Sequence, residues 1–181
     1  MEELLNGTIC PPPSDVFETL KRMSTHRIIW GANFFNCFED RGGAIVWVKR
    51  QKMPNFSKAD IASCTHYQKT EVVEIPWTNF TVAQKAESDH PCERPVELYV
   101  WCINYLPRCE TFLDPYMGSG SVGVAAVKLG RKFTGIEQSE PYFDGACKRI
   151  EKALTEPDLF QKPTPKRKQK LLLTKPSRGK F

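Results

Sequence analysis

The sequence of 181 residues contains no uninterrupted run of about 18 apolar residues, which excludes a membrane-spanning helix of ordinary length. Its first residues lack the basic stretch followed by an apolar stretch that is typical of a secretory signal. Seven cysteines stand singly, without a C-x-x-C pair, so we expect neither a disulfide framework nor a zinc site. We therefore predict reduced thiols, no metal, no membrane contact and a cytoplasmic location.

Acidic residues are missing from the last part of the chain. From Lys162 onward there are eight Lys or Arg residues and no Asp or Glu, so a net charge of +5 for the whole chain becomes −3 for residues 1–161. We predict a folded domain over residues 1–160 and a basic, disordered tail over residues 161–181. Either the tail only aids solubility, or it binds DNA phosphates through the cations Lys166, Arg167 and Lys168.

The most informative segment of the sequence begins with a short apolar strand at residues 111–113. A loop containing G-x-G follows, then a helix of small residues at 122–129, a helix stop at Gly130 and a second strand at 132–136. This order is typical of a nucleotide- or nucleoside-binding crevice in a parallel sheet. A plain βαβ turn is the simpler alternative, and the register of strand, helix and terminal acid disfavours it.

The residues of this loop indicate what the crevice would bind. Gly118 and Gly120 allow a sharp turn and a close approach of the backbone to a ligand. Glu137 follows the second strand, 19 residues beyond Gly118, where it could accept hydrogen bonds from ribose hydroxyls. The third glycine of the dinucleotide pattern is missing, and Asp114 at the loop mouth would repel a pyrophosphate. We therefore predict an adenosine-type ligand with a cationic end.

Other helices and strands are predicted from the spacing of apolar residues and from the positions of Gly, Pro and capping residues. We predict helices at residues 16–23, capped by Ser14 or Asp15, at 96–105 and from Ser139 to about 154, and strands at 26–31 and 44–49.

Between residues 49 and 89 the periodicity weakens, apart from a predicted strand at 71–76. Basic and aromatic residues alternate there, which fits a surface facing nucleic acid and equally fits a surface loop with partly buried rings. On the first interpretation the DNA-binding candidates are Lys49, Arg50, Lys52 and Lys58.

The segment DPYMGSGSVGVAAVKLGRKFTGIE, followed by PYFDGACKRI, resembles the S-adenosylmethionine motif of the DNA methyltransferases that modify adenine N6 or cytosine N4. The resemblance is to the subgroup whose catalytic motif comes first and whose cofactor motif comes late. PPPSDVFETLKRMSTHRIIWGANFF, GGAIVWVKRQ and HPCERP resemble further family segments in the family's order, so the likeness runs from Pro11 to Leu154. It implies an α/β fold with a Rossmann-like methyltransferase sheet, helices on both faces and a target-recognition insertion at about residues 50–89.

The resemblance also implies S-adenosylmethionine as cofactor and double-stranded DNA as substrate. It would place Asp114 and the glycine loop at the methionine part, Glu137 at the ribose, and Arg94 at the methionine carboxylate. Tyr116 would contact the adenine or line the pocket. The neighbouring Glu93 departs from the family motif and adds a charge that could weaken the Arg94 contact. The implied cofactor-binding residues are Asp114, Pro115, Tyr116, Gly118, Ser119, Gly120, Ser121, Glu137, Gln138, His90 and Arg94.

The family's catalytic tetrapeptide, D-P-P-Y or a close variant, does not occur in the sequence. We therefore expect the fold to be incomplete at its amino terminus, with catalytic residues unknown, and a second chain as one source of the missing motif. The favoured hypothesis is a DNA methyltransferase, acting on adenine N6 rather than cytosine N4, that is inactive alone. The alternative is a non-catalytic module that binds cofactor or DNA. An RNA or small-molecule methyltransferase is disfavoured by the motif order.

Overall fold

The computed structural model describes residues 12–40, 42–52, 54–77, 93–106, 108–155 and 172–174. The chain divides into two compact units, Met1–Pro76 and Trp77–Phe181. A four-stranded sheet belongs to the first unit and a three-stranded sheet to the second. Within the described ranges, each helix is too short or too polar to cross a bilayer.

The first unit combines two helices with a mixed sheet. Its strand order is β1-β3-β2-β4, with β3 antiparallel to both of its neighbours and β4 parallel to β2. The elements are α1 (Ser14–Met23), β1 (Ile28–Trp30), α2 (Ala32–Phe35), β2 (Gly43–Val48), β3 (Ala59–Cys64) and β4 (Thr70–Glu74).

The core of the first unit forms around alternate residues of β2. Ile45 and Trp47 point inward and are 0% and 1% exposed, as expected for a strand with one buried face. Trp30 of β1 lies edge-on to Trp47, with ring centroids 6.3 Å apart. The indole N–H of Trp47 donates to the carbonyl of Ile75 at 2.8 Å, so its polar atom is satisfied inside the core.

The second unit is a βαβαβ arrangement with a fully parallel sheet of order β5-β6-β7. Each parallel connection contains a helix, as such crossovers require. The elements are α3 (Val96–Tyr105), β5 (Thr111–Asp114), α4 (Ser121–Lys128), β6 (Lys132–Ile136), α5 (Glu140–Thr155) and β7 (Leu172–Thr174).

Small residues let α4 pack closely in the core of the second unit. Ala125 and Ala126 are fully buried. A Cβ atom at Gly123 would overlap the side chains of Ile150 on α5 and Phe133 on β6. The absence of a side chain at this position therefore sets how closely α4 approaches its neighbours.

The structure confirms the α/β class and the parallel βαβ unit that the sequence predicts. The helix stop is also confirmed: Gly130 has a φ of 68°, and its N–H donates to Val127 at 3.1 Å. The predicted cap of α1 is wrong, because Pro13 is the N-cap residue and both Ser14 and Asp15 lie inside the helix.

Two strands lie where the sequence indicated little regular structure. β3 falls in the region of weak periodicity, yet it is hydrogen-bonded on both sides. β7 falls in the tail that we expected to be disordered; the remainder of the tail lies outside the described residues. The domain bounds, the target-recognition insertion and the helices on both faces of one sheet stay predictions.

Candidate functional site

The carboxyl edge of the parallel sheet in the second unit carries two acidic side chains. In the register of β5 and β6, Asp114 pairs with Gly135, and Glu137 follows directly after β6. Both carboxylates therefore belong to the ends of adjacent parallel strands. Ligands of open α/β sheets bind at this edge.

A tight turn over residues 116–121, which we call the glycine loop, joins β5 to α4. Gly118 and Gly120 have φ values of 49° and 77°, in the left-handed region that favours glycine. The N–H of Gly120 donates to the carbonyl of Met117 at 2.8 Å. A Cβ atom at Gly120 would lie 2.8 Å from the Cβ of Ala146 on α5. The loop therefore requires glycine here for its backbone angle and for its packing.

Met117 anchors the glycine loop to the sheet. Its side chain is buried, and its N–H donates to the carbonyl of Ile136 at 3.0 Å. The thioether occupies the space that a side chain at Gly135 would need. The loop is therefore held against the end of β6 by both backbone and side chain.

Glu137 also holds the glycine loop. One carboxylate oxygen accepts the Gly118 N–H at 3.0 Å, and the other accepts the Ser139 N–H at 2.8 Å. Each oxygen has a second lone pair, so the carboxylate retains capacity to accept hydrogen bonds from a ligand.

Asp114 is the titratable group of the site. Its Oδ1 accepts the N–H of Tyr116 at 3.1 Å, and part of the residue remains accessible to solvent. Burial of the carboxyl group raises its pKa to about 6, and the charge of Glu137 adds to this, while the Tyr116 N–H and Arg94 act in the opposite direction. The charge at the loop mouth therefore changes at mildly acidic pH.

Arg94 lies just before α3 and faces Tyr99, to which it is hydrogen-bonded. Burial raises the pKa of Tyr99 to about 12, an effect that Arg94 partly opposes. Arg94 also acts electrostatically on Asp114. The segment around it is fixed by Trp77, whose indole N–H donates to the carbonyl of Glu93 at 3.2 Å.

Glu93 and Arg149 form a largely buried ion pair behind the glycine loop. Nη2 of Arg149 is 2.6 Å from Oε1 of Glu93, and the side chains are 18% and 13% exposed. Nη1 of Arg149 donates to the carbonyl of Ser119 at 2.7 Å, and the hydroxyl of Ser121 donates to Oε1 of Glu93 at 3.3 Å. The hydroxyls of Ser119 and Ser121 are 3.2 Å apart. The charge that we expected to disturb the site is thus compensated inside the protein.

Sequence reasoning missed Arg149. The available signal was an arginine beside the apolar face of α5, which buries Phe143, Ala146 and Ile150. A long cationic side chain next to a buried face needs an acceptor, and the chain provides Glu93 and the carbonyl of Ser119.

A family model described as DNA methylase matches residues 63–148. The type II methyltransferase M2.LlaDCHI of Lactococcus lactis subsp. cremoris is 28% identical over 115 residues, which are 61% of this chain and 42% of the relative. M2.MboI of Moraxella bovis, also a type II methyltransferase, is 28% identical over 109 residues, 58% of this chain and 39% of the relative. Residues 63–148 thus match the DNA amino-methyltransferases. The chain spans about two fifths of the length of these curated relatives.

Solved structures show the same fold. M1.HpyAVI in complex with SAM superimposes with a TM-score of 0.53 at 22% identity, covering 77% of this chain and 85% of the other. A second M1.HpyAVI structure gives 0.50 at 21% identity, covering 77% and 84%. The predicted methyltransferase-type α/β fold is confirmed.

The second unit brings together most of the cofactor residues predicted from the sequence. Pro115 and Gln138 adjoin the two acidic residues in the chain, and His90 lies outside the described residues. Those that share the carboxyl edge, the glycine loop or the start of α3 are Asp114, Tyr116, Gly118, Ser119, Gly120, Ser121, Glu137 and Arg94.

The DNA-binding candidates in the first unit fall into two groups. Lys49 is largely buried and pairs with Asp60 at 2.7 Å, and Nε of Arg50 donates to Glu74 at 2.8 Å. Lys52 and Lys58 are exposed on the loop between β2 and β3. The tail candidates Lys166, Arg167 and Lys168 lie outside the described residues.

Proposed function

We propose that this chain binds S-adenosylmethionine and acts in the methylation of an exocyclic amine of a DNA base. The observation that carries the proposal is the pair of carboxylates at the ends of β5 and β6, separated by a glycine loop that Glu137 itself holds in place. Relatives named as type II methyltransferases and the methyltransferase fold support it.

The donor and acceptor groups fit such a cofactor. Glu137 retains acceptor sites for ribose hydroxyls, and Asp114 offers a carboxylate to the cationic methionine end. Arg94 is the matching cation for the methionine carboxylate. Tyr116, the first residue of the glycine loop and 55% exposed, offers a ring to the adenine. When bound, the cofactor supplies an electrophilic methyl group on a sulfonium.

A dinucleotide fits the same crevice poorly. In dinucleotide-binding folds a pyrophosphate lies at the amino terminus of the helix after the loop. Here Asp114 places a carboxylate at the mouth of the loop, whereas the carboxylate of Glu93, beside the first residue of α4, is already paired with Arg149. The site therefore favours a ligand with a positive end.

We further propose that the DNA backbone contacts the loop between β2 and β3 through Lys52 and Lys58. Both side chains are exposed, and Nζ of Lys58 donates to the carbonyl of Gln51 at 3.4 Å. Lys49 is largely buried against Asp60, and the exposed Arg50 is paired with Glu74. Exposed cations can exchange their counterions for phosphates, which makes DNA binding salt-dependent. The cytoplasmic location predicted from the single cysteines fits this substrate.

Methyl transfer needs groups that the 181 residues do not include. In the family that the sequence resembles, D-P-P-Y supplies the acceptors for the target amine and the ring that stacks on the flipped base. We therefore propose that this chain binds cofactor by itself and transfers methyl groups only together with a polypeptide that provides such a motif. The assignment to adenine N6 rather than cytosine N4 rests on the resemblance alone.

The test is calorimetry with S-adenosylmethionine, followed by transfer of tritiated methyl groups to unmethylated DNA. We expect saturable cofactor binding and little transfer by this chain alone, with transfer appearing when a D-P-P-Y-containing chain is added. Mass spectrometry of the digested DNA then distinguishes N6-methyladenine from N4-methylcytosine. Absence of heat at millimolar cofactor would refute the cofactor site, and rapid transfer by the chain alone would refute the requirement for a second motif. Cofactor binding without transfer in any combination would favour the non-catalytic module.

A further inference from the structure

We propose that Arg149, paired with Glu93, is a positioning residue that fixes the glycine loop for cofactor binding; the inference deepens the proposed function and rests on it. Arg149 reaches two parts of the second unit at once. Nη1 donates to the carbonyl of Ser119 within the loop, at 2.7 Å, and Nη2 is 2.6 Å from the carboxylate of Glu93 before α3. A planar guanidinium can serve two acceptors in this way, whereas a lysine ammonium cannot match the geometry.

The peptide held by Arg149 lies at the most adaptable point of the loop. Ser119 stands between Gly118 and Gly120, both at positive φ, and glycine has the largest choice of backbone conformations. The N–H of Gly118 is held by Glu137, and the carbonyl of Ser119 is held by Arg149. These two contacts on consecutive residues select one conformation of the loop before a ligand arrives, which lowers the entropic cost of binding.

Arg149 also separates the roles of two adjacent residues with opposite charges. Glu93 contacts Arg149 and the Ser121 hydroxyl, whereas Arg94 is hydrogen-bonded to Tyr99 and interacts with Asp114. Without Arg149, the largely buried Glu93 carboxylate would lose its countercharge next to the cation assigned to the ligand. The ion pair therefore balances the charge of Glu93 within the protein.

The test compares Arg149→Met with Arg27→Met in the full chain. Arg27 forms an ion pair of similar burial in the first unit, where its Nε is 2.8 Å from Glu39 and the side chains are 16% and 17% exposed. We expect both variants to lower the unfolding midpoint. Only Arg149→Met should weaken S-adenosylmethionine binding, by about tenfold or more, and accelerate hydrogen–deuterium exchange of residues 116–121.

Arg149→Lys provides the intermediate case and replaces Arg149→Met should that variant not fold. It keeps the charge near Glu93 but not the two-acceptor geometry, so we expect partial restoration of affinity and of loop protection. Loop exchange and cofactor affinity no different from those of Arg27→Met would overturn the proposal. If the wild-type chain binds no cofactor, the proposed function fails, and loop exchange alone decides whether Arg149 positions the loop.

Discussion

The glycine loop and the loop between β2 and β3 both attract attention in the sequence, yet the structure uses their residues in opposite ways. In the glycine loop, backbone groups are held by charged side chains from distant parts of the chain, namely Glu137 and Arg149. In the loop between β2 and β3, two of the four cations are instead paired with carboxylates of neighbouring strands, Lys49 with Asp60 and Arg50 with Glu74. A cluster of cations in sequence therefore overstates the number available for DNA, whereas a glycine pattern reports backbone geometry directly.

The largest expected effect concerns the backbone conformation and packing of the glycine loop. Gly120→Ala should destabilise the second unit by roughly 2–4 kcal/mol, because it combines a positive φ with a contact 2.8 Å from Ala146. The matched control is Gly130→Ala. Gly130 also has a positive φ, 68°, but a Cβ atom there would meet no other atom within 4 Å, so this substitution should cost about 1 kcal/mol of stability. Urea unfolding measures both. Equal costs would show that packing against α5 is unimportant.

Removing the charged support of the loop should have the next largest effect. Glu137→Ala takes away the acceptor of the Gly118 N–H and the proposed partner of the ribose, so we expect S-adenosylmethionine affinity to fall about 30-fold, which is about 2 kcal/mol. Glu151→Ala, at an exposed position of α5, serves as the control. Calorimetry measures both, and an unchanged affinity in Glu137→Ala would contradict the assignment of the crevice.

The raised pKa of Asp114 predicts that cofactor binding depends on pH near 6, where the lysines of the loop between β2 and β3 keep their charge. A cationic ligand end requires the carboxylate, so affinity should fall as pH drops through about 6, by about tenfold between pH 7.5 and pH 5. Asp114→Asn should weaken binding and flatten the profile. An unchanged slope in that variant would assign the titration to another group.

The same group makes a prediction for stability. Because the folded-state pKa of Asp114 lies near 6, above its ordinary value of 3.8, folding disfavours the ionised form. This unfavourable contribution grows as pH rises from 3.8 to 6 and stays constant above that. Asp114→Asn should therefore stabilise the chain more at pH 7 than at pH 4, as measured by denaturant unfolding at the two pH values.

The smallest effects distinguish the two kinds of cation in the loop between β2 and β3. Lys52→Ala and Lys58→Ala should each weaken DNA binding a few-fold and reduce the salt slope by about 1. Lys49→Met should instead lower stability by roughly 1–3 kcal/mol, because Asp60 loses its partner, and leave the salt slope unchanged. Fluorescence anisotropy at several salt concentrations measures the slopes. A reduced salt slope in Lys49→Met would indicate that Lys49 also contacts DNA.

The parts of the fold that the sequence predicts are those set by local chemistry. The turns at Gly118 and Gly120, the helix stop at Gly130 and the strand that precedes Glu137 each follow from residue types within a few positions of one another. β3 escaped prediction because Ala59–Cys64 has little alternation; its extended conformation comes from pairing with β1 and β2 on either side.

In the candidate site, too, local features could be predicted from the sequence and long-range contacts could not. The acids at the strand ends could be found from motif spacing, but the pairing of Glu93 with Arg149 could not, because the two residues are far apart in sequence and meet only after α5 packs on α4. The pairing of Lys49 and Arg50 with carboxylates likewise depends on which strands become neighbours, since Asp60 and Glu74 belong to β3 and β4.

The third strand of the parallel sheet has a practical consequence for protein engineering. Thr174, the last residue of β7, stands opposite Ile136 in the register, so the chain leaves β7 at the edge where Glu137 follows β6. A fluorescent label attached directly after Thr174 would therefore start at the edge of the sheet that carries Asp114 and Glu137.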